Sequence, residues 1–167
     1  LFFALAVPAI TSQVVNALYN MVDRMYIGHI PGNGAAALTG VGVAFPLIMI
    51  ISAFAALVSM GGAPRASIMM GKGDTEQANK ILGNCFTALV ITSVVLTAVT
   101  MLFCEPLLML FGASANTIVY AKAYMMIYAA GTIFVQLTLG MNAFISAQGF
   151  SRISMLTVII GAITNIA

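Results

Sequence analysis

The chain has 167 residues, of which 62% are hydrophobic and only ten, six basic and four acidic, carry a formal charge. A soluble domain is normally about a quarter charged, and the mean hydropathy of +1.09 is far above that of a water-exposed surface. This composition excludes a soluble globular enzyme, a nucleic-acid-binding protein and a disordered chain, and it indicates an integral membrane protein.

Five apolar segments, separated by short polar or glycine-containing breaks, predict an all-α, polytopic bundle of transmembrane helices. The first segment stops at the turn sequence Pro-Gly-Asn-Gly, and Gly-Gly-Ala-Pro at 61–64 is expected to loosen the second. Asp74 is the expected N-cap of the third, with Gln77 completing a capping box. The five segments cover approximately residues 1–30, 37–60, 78–103, 118–144 and 155–167.

Apolar sequence is already present at Leu1 and continues to Ala167, so we expect the chain to be a piece of a longer membrane protein. Basic residues are more frequent near the second-to-third and fourth-to-fifth loops, which predicts that these loops are cytoplasmic. The cations on that side are Arg65, Lys72, Lys80 and Arg152, against Arg24 and Lys122 on the other.

The first segment has a polar face and an apolar face. At 100° per residue, its amides, phenols and single carboxylate fall within one arc, and the opposite arc is apolar. Because lipid cannot satisfy so many polar groups, this face is predicted to line a cavity inside the protein. The face consists of Gln13, Asn16, Tyr19, Asn20, Asp23 and Tyr26.

Asp23 is the most informative residue of that face, because it lies roughly 10 Å below the membrane edge marked by the turn at Pro31. Ionisable groups at such a depth are costly and usually serve as ion sites, proton relays or counter-charges to a substrate. A carboxylate here can exchange a proton for a cation, and Na⁺ is the candidate metal ion. The alternative is a structural ion pair with Arg24, whose side chain would extend to the outer interface.

The fourth segment carries a weaker polar ridge, in which Tyr120, Tyr124 and Tyr128 recur every four residues. Tyrosines near a membrane face are often interfacial anchors, which fits Tyr120 well. Tyr124 and Tyr128 are equally consistent with a cavity that holds aromatic cations by cation–π contact. Gln136 and Asn142 either line this cavity or form hydrogen bonds between helices.

The sequence contains no catalytic triad, zinc-protease motif or phosphate-binding loop, so we expect neither enzymatic activity nor a cofactor. The glycine pairs at 32–34 and 40–42 follow no predicted strand, which excludes a dinucleotide-binding fold. A secondary transporter needs no such motif, because its energy comes from an ion gradient.

Four stretches of the chain, LYNMVDRMYIG at 18–28, AALTGVG at 36–42, ISAQGFSR at 145–152 and GAITNIA at 161–167, resemble sequences of the multidrug and toxic compound extrusion (MATE) transporters. The sequence LYNMVDRMYIG at 18–28 resembles their first helix, and AALTGVG at 36–42 resembles their second. The turn ISAQGFSR at 145–152 resembles their fourth-to-fifth loop, except that Ser146 stands where the family often has Arg. GAITNIA at 161–167 resembles their fifth helix, so the resemblance extends over essentially the whole chain.

The resemblance implies twelve helices in two six-helix lobes, of which residues 1–167 are about four and a half helices of the N-terminal lobe, without the C-terminal lobe. It implies a multi-pass protein of the plasma or inner membrane, monomeric at full length, that exports organic, often cationic, drugs or toxins in exchange for Na⁺ or H⁺. The family's first-helix Asp matches Asp23, and its further cation-site residues match Tyr124, Asn142 and Asn165 by spacing. The residues expected to line the substrate cavity are Gln13, Asn16, Tyr19, Asn20, Tyr128 and Gln136.

Two other functions are consistent with the sequence. A lipid-linked oligosaccharide flippase of the same superfamily would favour a basic cavity, whereas these segments contain few cations. A non-transporting membrane interaction protein would bury the polar face of the first segment against a partner helix, so water access to Asn16 and Asn20 would distinguish the two kinds of protein. The expected partners are the lipid bilayer and small organic molecules, and no nucleic acid is expected.

Overall fold

The computed structural model describes residues 2–166, and this part of the chain forms seven α-helices and no β-strand. The predicted all-α bundle is therefore confirmed. The outermost residues of the first and fifth predicted spans, Leu1 and Ala167, lie outside the described residues. The helices are α1 (Phe2–Gly28), α2 (Gly34–Gly71), α3 (Thr75–Leu102), α4 (Cys104–Leu110), α5 (Ile118–Ala130), α6 (Thr132–Ala147) and α7 (Ser151–Ile166).

Membrane spans can be assigned from the length and composition of the helices. Helices α2 and α3 are each long and apolar enough to cross a bilayer, and α5 with α6 is a third candidate if the bent pair counts as one span. Helix α7 is apolar but has only 16 residues. Helix α1 has 27 residues, enough to cross by length, but polar side chains interrupt its apolar sequence. That α1 and α7 also cross the membrane stays a prediction.

The second helix is longer than predicted. We predicted a span over 37–60 that loosens at the glycine pair, but α2 continues to Gly71 and has 38 residues. The reason is packing, because a Cβ on Gly62 would overlap the Sγ of Cys85 and lie 2.8 Å from the ring of Phe144. The missing side chain therefore lets α3 and α6 approach α2 closely, and this tertiary contact outweighs the weak helix propensity of glycine.

The fourth predicted span is two helices that meet at Gly131 with a bend of 59°. Glycine is a poor helix former, and the ladder of backbone hydrogen bonds is interrupted at this point. In hydrocarbon, the freed carbonyls must find donors within the protein. The Thr132 hydroxyl donates to the Tyr128 carbonyl at 3.2 Å, and the Thr97 hydroxyl of α3 donates to the Ala129 carbonyl at 3.1 Å. Side-chain hydroxyls thus stabilise the bend.

The two ends of α3 differ in how well they were predicted. At its start, the Asp74 carboxylate accepts a hydrogen bond of 2.9 Å from the backbone N–H of Gln77, which confirms the predicted N-cap. At its end, α3 stops at Leu102, close to the predicted end at 103, but Cys104 then begins a separate short helix, α4, which we did not predict. Pro106 explains the break, because proline fits the first turn of a helix but not its interior.

The larger core lies between α2, α4 and α5, and α3 and α6 also pack against α2. Helix α1 lies at the flank, where it packs chiefly on α7 and makes a smaller contact with α2. Small and branched side chains fill the core: Ala44, Leu47, Ile51, Cys104, Leu108, Ala113, Ala121 and Met125. The flanking position of α1 leaves a space between it and helices α6 and α7.

Candidate functional site

A cavity of about 510 Å³ lies between α1, α6 and α7. Its α1 wall spans residues 9–19, near the middle of that helix, and its other walls reach from the end of α6 along the length of α7. Polar side chains from all three helices project into this space, which is unusual for an apolar bundle. They are Ser12, Gln13, Asn16 and Tyr19 of α1, Thr138, Asn142 and Ser146 of α6, and Ser154, Thr157 and Asn165 of α7.

Helical spacing explains why these side chains meet. On α6, Thr138, Asn142 and Ser146 recur every four residues and therefore lie on one face. On α7, Thr157 and Asn165 are eight residues apart and share a face in the same way. The cavity is the place where these two faces meet the polar stripe of α1.

Five residues predicted from the sequence surround this one cavity: Gln13, Asn16, Tyr19, Asn142 and Asn165. The Oδ1 atom of Asn142 is buried and has no hydrogen-bond partner among the described residues. A buried carbonyl oxygen without a donor costs about 1–3 kcal/mol. The same oxygen is a ready ligand for a cation or an acceptor for a water molecule.

The hydroxyl groups of the cavity were not predicted. The Ser146 hydroxyl donates to that of Ser154 at 2.9 Å and so joins the end of α6 to the start of α7. The Thr157 hydroxyl donates to the Ser154 carbonyl at 2.7 Å. Serine and threonine are common packing residues in membrane helices, so single occurrences do not indicate a cavity. The signal that could have found them is their four-residue spacing from Asn142.

Asp23 lies one turn beyond Tyr19 on the same face of α1, half-buried and outside the lining of the cavity. On α5, Tyr124 is close enough to Asp23 and Tyr19 to interact electrostatically with both. Tyr124 also stacks on Tyr128, with ring centroids 6.5 Å apart and ring planes inclined by 20°. Asp23 and the two stacked phenols therefore form a second polar group, and Tyr19 connects this group to the cavity.

Gln136 does not line the cavity, although we predicted that it would. It is fully buried between α6 and α2, where its Nε2 donates to the Ile51 carbonyl at 2.7 Å. Its Oε1 has no partner within the described part of the chain. The reason is geometric, because Gln136 precedes Thr138 by two residues and so points about 200° away from the cavity face of α6.

Asn20 and Tyr128 also lie elsewhere than predicted. Asn20 faces a separate groove between α1 and α2. It lies one turn beyond Asn16 along α1, and its Nδ2 donates back to the Asn16 carbonyl at 2.7 Å. Tyr128 packs against the core near Ser52 instead of reaching the cavity. The polar face predicted for α1 therefore divides between two openings.

The ion pair considered for Asp23 is not formed. Arg24 lies over the ring of Phe45 instead, with its guanidinium carbon 5.4 Å from the ring centroid. Residues 2–166 contain no group of three or more His, Cys, Asp or Glu that could hold a metal ion. A cation would therefore depend on one carboxylate with amide and hydroxyl oxygens. The ion pairs within the described residues are Lys80–Glu76 and Lys122–Glu105.

Comparison with known proteins matches residues 8–167 to the family model described as MatE. The chain is 26% identical over 148 residues to the FAD transporter of Shewanella oneidensis, covering 89% of this chain and 32% of that protein. It is 25% identical over 162 residues to the "Probable multidrug resistance protein NorM" of Thermotoga maritima, and the match covers 96% of this chain and 33% of that protein. It is 20% identical over 151 residues to the multidrug export protein MepA of Staphylococcus haemolyticus, and the match covers 90% of this chain and 33% of that protein. The chain thus spans about a third of the length of these relatives.

Among solved structures, the MATE multidrug transporter DinF-BH in complex with rhodamine 6G superposes with a TM-score of 0.89. The superposition covers 97% of this chain and 36% of that chain, at 34% sequence identity. Together with the apolar helices α2 and α3, these matches identify the chain as part of a multi-pass membrane protein.

Proposed function

The chain belongs to the MatE family, and from this premise we propose that the whole protein is a secondary active transporter that exports organic compounds by antiport with Na⁺ or H⁺. The names of its relatives support export of organic compounds, since two concern multidrug export or resistance and one concerns FAD. Small, often cationic, drugs are the first substrates to test.

The observation that carries the proposal is the polar cavity between α1, α6 and α7. It holds three asparagine side chains, Asn16, Asn142 and Asn165, from three different helices. One of their oxygens, Oδ1 of Asn142, is buried and has no donor among residues 2–166. Oxygen atoms are the ligands that hard cations prefer, and transporters commonly bind coupling ions among helices near the bilayer midplane. We infer that the coupling ion binds in this cavity.

Asp23 supplies the charge that changes during coupling. It stands one turn from Tyr19, which lines the cavity, and within electrostatic reach of Tyr124 on α5. A carboxylate in this position carries a proton or balances a cation, and either event changes the charge between α1 and α5. The phenols of Tyr124 and Tyr128 provide neighbouring ring faces to which an organic cation can bind.

The test is Asp23→Asn in the full-length protein, reconstituted in proteoliposomes with an imposed Na⁺ or pH gradient. Ion-driven export of rhodamine 6G should fall to the level of protein-free vesicles, because the amide can neither release a proton nor balance a cation. The matched control is Glu76→Gln, which neutralises an exposed carboxylate in the first turn of α3 and should leave export unchanged. Undiminished, ion-dependent export by Asp23→Asn would overturn the proposed role.

A second measurement separates transport from a role in membrane interaction. Single cysteines at Asn16 and at Leu18 are compared in a background from which Cys85 and Cys104 have been removed. Asn16 faces the cavity, whereas Leu18 is exposed on the opposite, apolar side. A membrane-impermeant thiol reagent should label the first position and not the second. A buried, unlabelled Asn16 position would favour contact with a partner helix.

A further inference from the structure

The Arg24 side chain extends along α1 away from the turn that joins α1 to α2. The last residue of α1 and the first of α2 lie at the same level, because a Cβ on Gly34 would overlap the Gly28 carbonyl. From this level, Arg24 lies about 6 Å along α1, whereas Phe45 lies about 16 Å along α2. Since the guanidinium rests over the Phe45 ring, the side chain points away from this end of the two helices.

Such a cation needs a partner, and the described residues provide only an aromatic one. The two ion pairs of residues 2–166 involve neither Arg24 nor its neighbour Asp23. Asp23 is rotated by about 100° around α1 from Arg24, and both charges lie within electrostatic reach of Tyr124 on α5. If α1 crosses the membrane as predicted, a positive charge that is paired there with an aromatic ring alone is costly to keep, and such charges are usually functional.

The guanidinium lies at the wall of an open groove of about 650 Å³ between α1 and α2. The rest of the groove is lined by flexible, apolar side chains, except for the amide of Asn20. The Nδ2 of Asn20 already donates to the Asn16 carbonyl at 2.7 Å. Thioethers adapt to ligands of different shape and make favourable contacts with aromatic rings. The groove residues around Arg24 are Asn20, Met21, Met25, Phe45 and Met49.

We propose that this groove is a substrate subsite for flat aromatic compounds that carry a carboxylate or phosphate group. The proposal rests on the export function above and names a substrate class for it. The planar guanidinium of Arg24 donates two parallel hydrogen bonds to two oxygens of the anion, a geometry that the ammonium group of a lysine cannot provide. The methionines and Phe45 hold the aromatic part of the compound. The anionic substrate thereby supplies the counter-charge that Arg24 lacks among residues 2–166.

The test measures how tightly three fluorescent probes bind to the full-length protein in phosphatidylcholine nanodiscs. Binding is monitored through the fluorescence of the probe. The probes are riboflavin 5′-phosphate, riboflavin and rhodamine 6G, of which the first two differ only in the phosphate. The wild type should bind riboflavin 5′-phosphate about tenfold or more tightly than riboflavin, the size of a charge-assisted hydrogen bond. Arg24→Gln should abolish this ratio and leave rhodamine 6G binding unchanged, and Arg24→Lys should retain part of it.

The matched control is Arg152→Gln, which removes an exposed cation at the start of α7 and should leave all three affinities unchanged. An unchanged flavin ratio in Arg24→Gln overturns the proposal, and so does equal loss of all three probes, which would indicate a structural role. Absence of any phosphate preference in the wild type also overturns it, since another part of the chain or a lipid phosphate would then occupy Arg24. Nanodiscs containing phosphatidylglycerol identify the lipid case.

Failure of the proposed transport function would give a different result. If the wild type binds riboflavin 5′-phosphate through Arg24 but shows no ion-driven export of rhodamine 6G, the subsite proposal stands and the antiport proposal is rejected. If export is ion-driven but the ratio of the affinities for riboflavin 5′-phosphate and riboflavin does not depend on Arg24, the antiport proposal stands and the subsite proposal is rejected.

Discussion

The contact between α3 and α6 can be tested by adding one methyl group at Gly140. A Cβ at this position would overlap Cδ1 of Leu89 and lie 2.9 Å from its Cδ2. Leu89 is 0% exposed, so its side chain cannot move into lipid or water to make room. The substitution Gly140→Ala must therefore push α3 and α6 apart or force Leu89 out of its rotamer.

The expected magnitude follows from two opposing effects. Overpacking of a well-packed site costs about 1–3 kcal/mol, and replacing a helical glycine by alanine gains up to about 1 kcal/mol. Gly140→Ala should therefore lower the free energy of unfolding by about 1–2 kcal/mol. Leu89→Ala alone should cost about 2–5 kcal/mol through the cavity that it leaves. In that background the added methyl group has room, so Gly140→Ala should become neutral or stabilising.

The measurement is a double-mutant cycle on the detergent-solubilised full-length protein, with unfolding in SDS followed by circular dichroism. The expected coupling between Gly140 and Leu89 is about 2 kcal/mol, in the range found for residues in contact. The control is Gly83→Ala on α3, where a Cβ meets nothing within 4 Å. This control should stabilise the protein by about 0.5–1 kcal/mol. Additive effects at Gly140 and Leu89 would refute the close approach of α3 and α6.

Three further substitutions test other polar groups. Gln136→Met should raise stability by about 1 kcal/mol in the same assay, because removing an unpaired buried oxygen outweighs the lost bond to Ile51; a clear loss of stability would contradict this. Lys122→Met should leave the unfolding midpoint unchanged, because its ion pair with Glu105 is solvent-exposed. Asn142→Leu should abolish ion-driven export while the circular dichroism spectrum stays that of the wild type, and retained ion dependence would exclude this oxygen from the ion site.

The parts of the fold that follow from local rules were predictable. The N-cap at Asp74 depends on one side chain and a backbone N–H three residues away, and the structure has it as predicted. The polar stripe of α1 depends only on helical period, and it brings Gln13, Asn16 and Tyr19 into one cavity. Local sequence determines these features because no distant residue is needed to form them.

The parts that depend on neighbouring helices were not predictable in the same way. A glycine at 62 weakens a helix by its propensity, but it extends α2 here because two other helices pack against it. An amide such as Gln136 has the same chemistry whether it faces a cavity or the carbonyl of Ile51. Only the rotation of α6 relative to α2 decides between these positions, and a single sequence contains no information on that rotation.

Asp23 and Arg24 are adjacent in sequence, but the helix separates their charges by about 100°. The guanidinium lies over Phe45 in the groove between α1 and α2, whereas Asp23 is half-buried outside that groove and within electrostatic reach of Tyr124. Because both belong to one turn of α1, we expect an ion bound at Asp23 to change the affinity for an anionic aromatic ligand at Arg24. Linkage then requires that the ligand change the ion affinity by the same factor.

This coupling is measurable by titrating riboflavin 5′-phosphate against the full-length protein at several Na⁺ concentrations and pH values. In the wild type the affinity should change about fivefold or more with the coupling ion, the lower end of typical coupling between two sites. In Asp23→Asn the affinity should lose its ion dependence while the preference for the phosphate persists, because Arg24 is unchanged. If Asp23→Asn instead removed the phosphate preference and kept the ion dependence, the assignment of ion binding to Asp23 and of anion binding to Arg24 would be wrong.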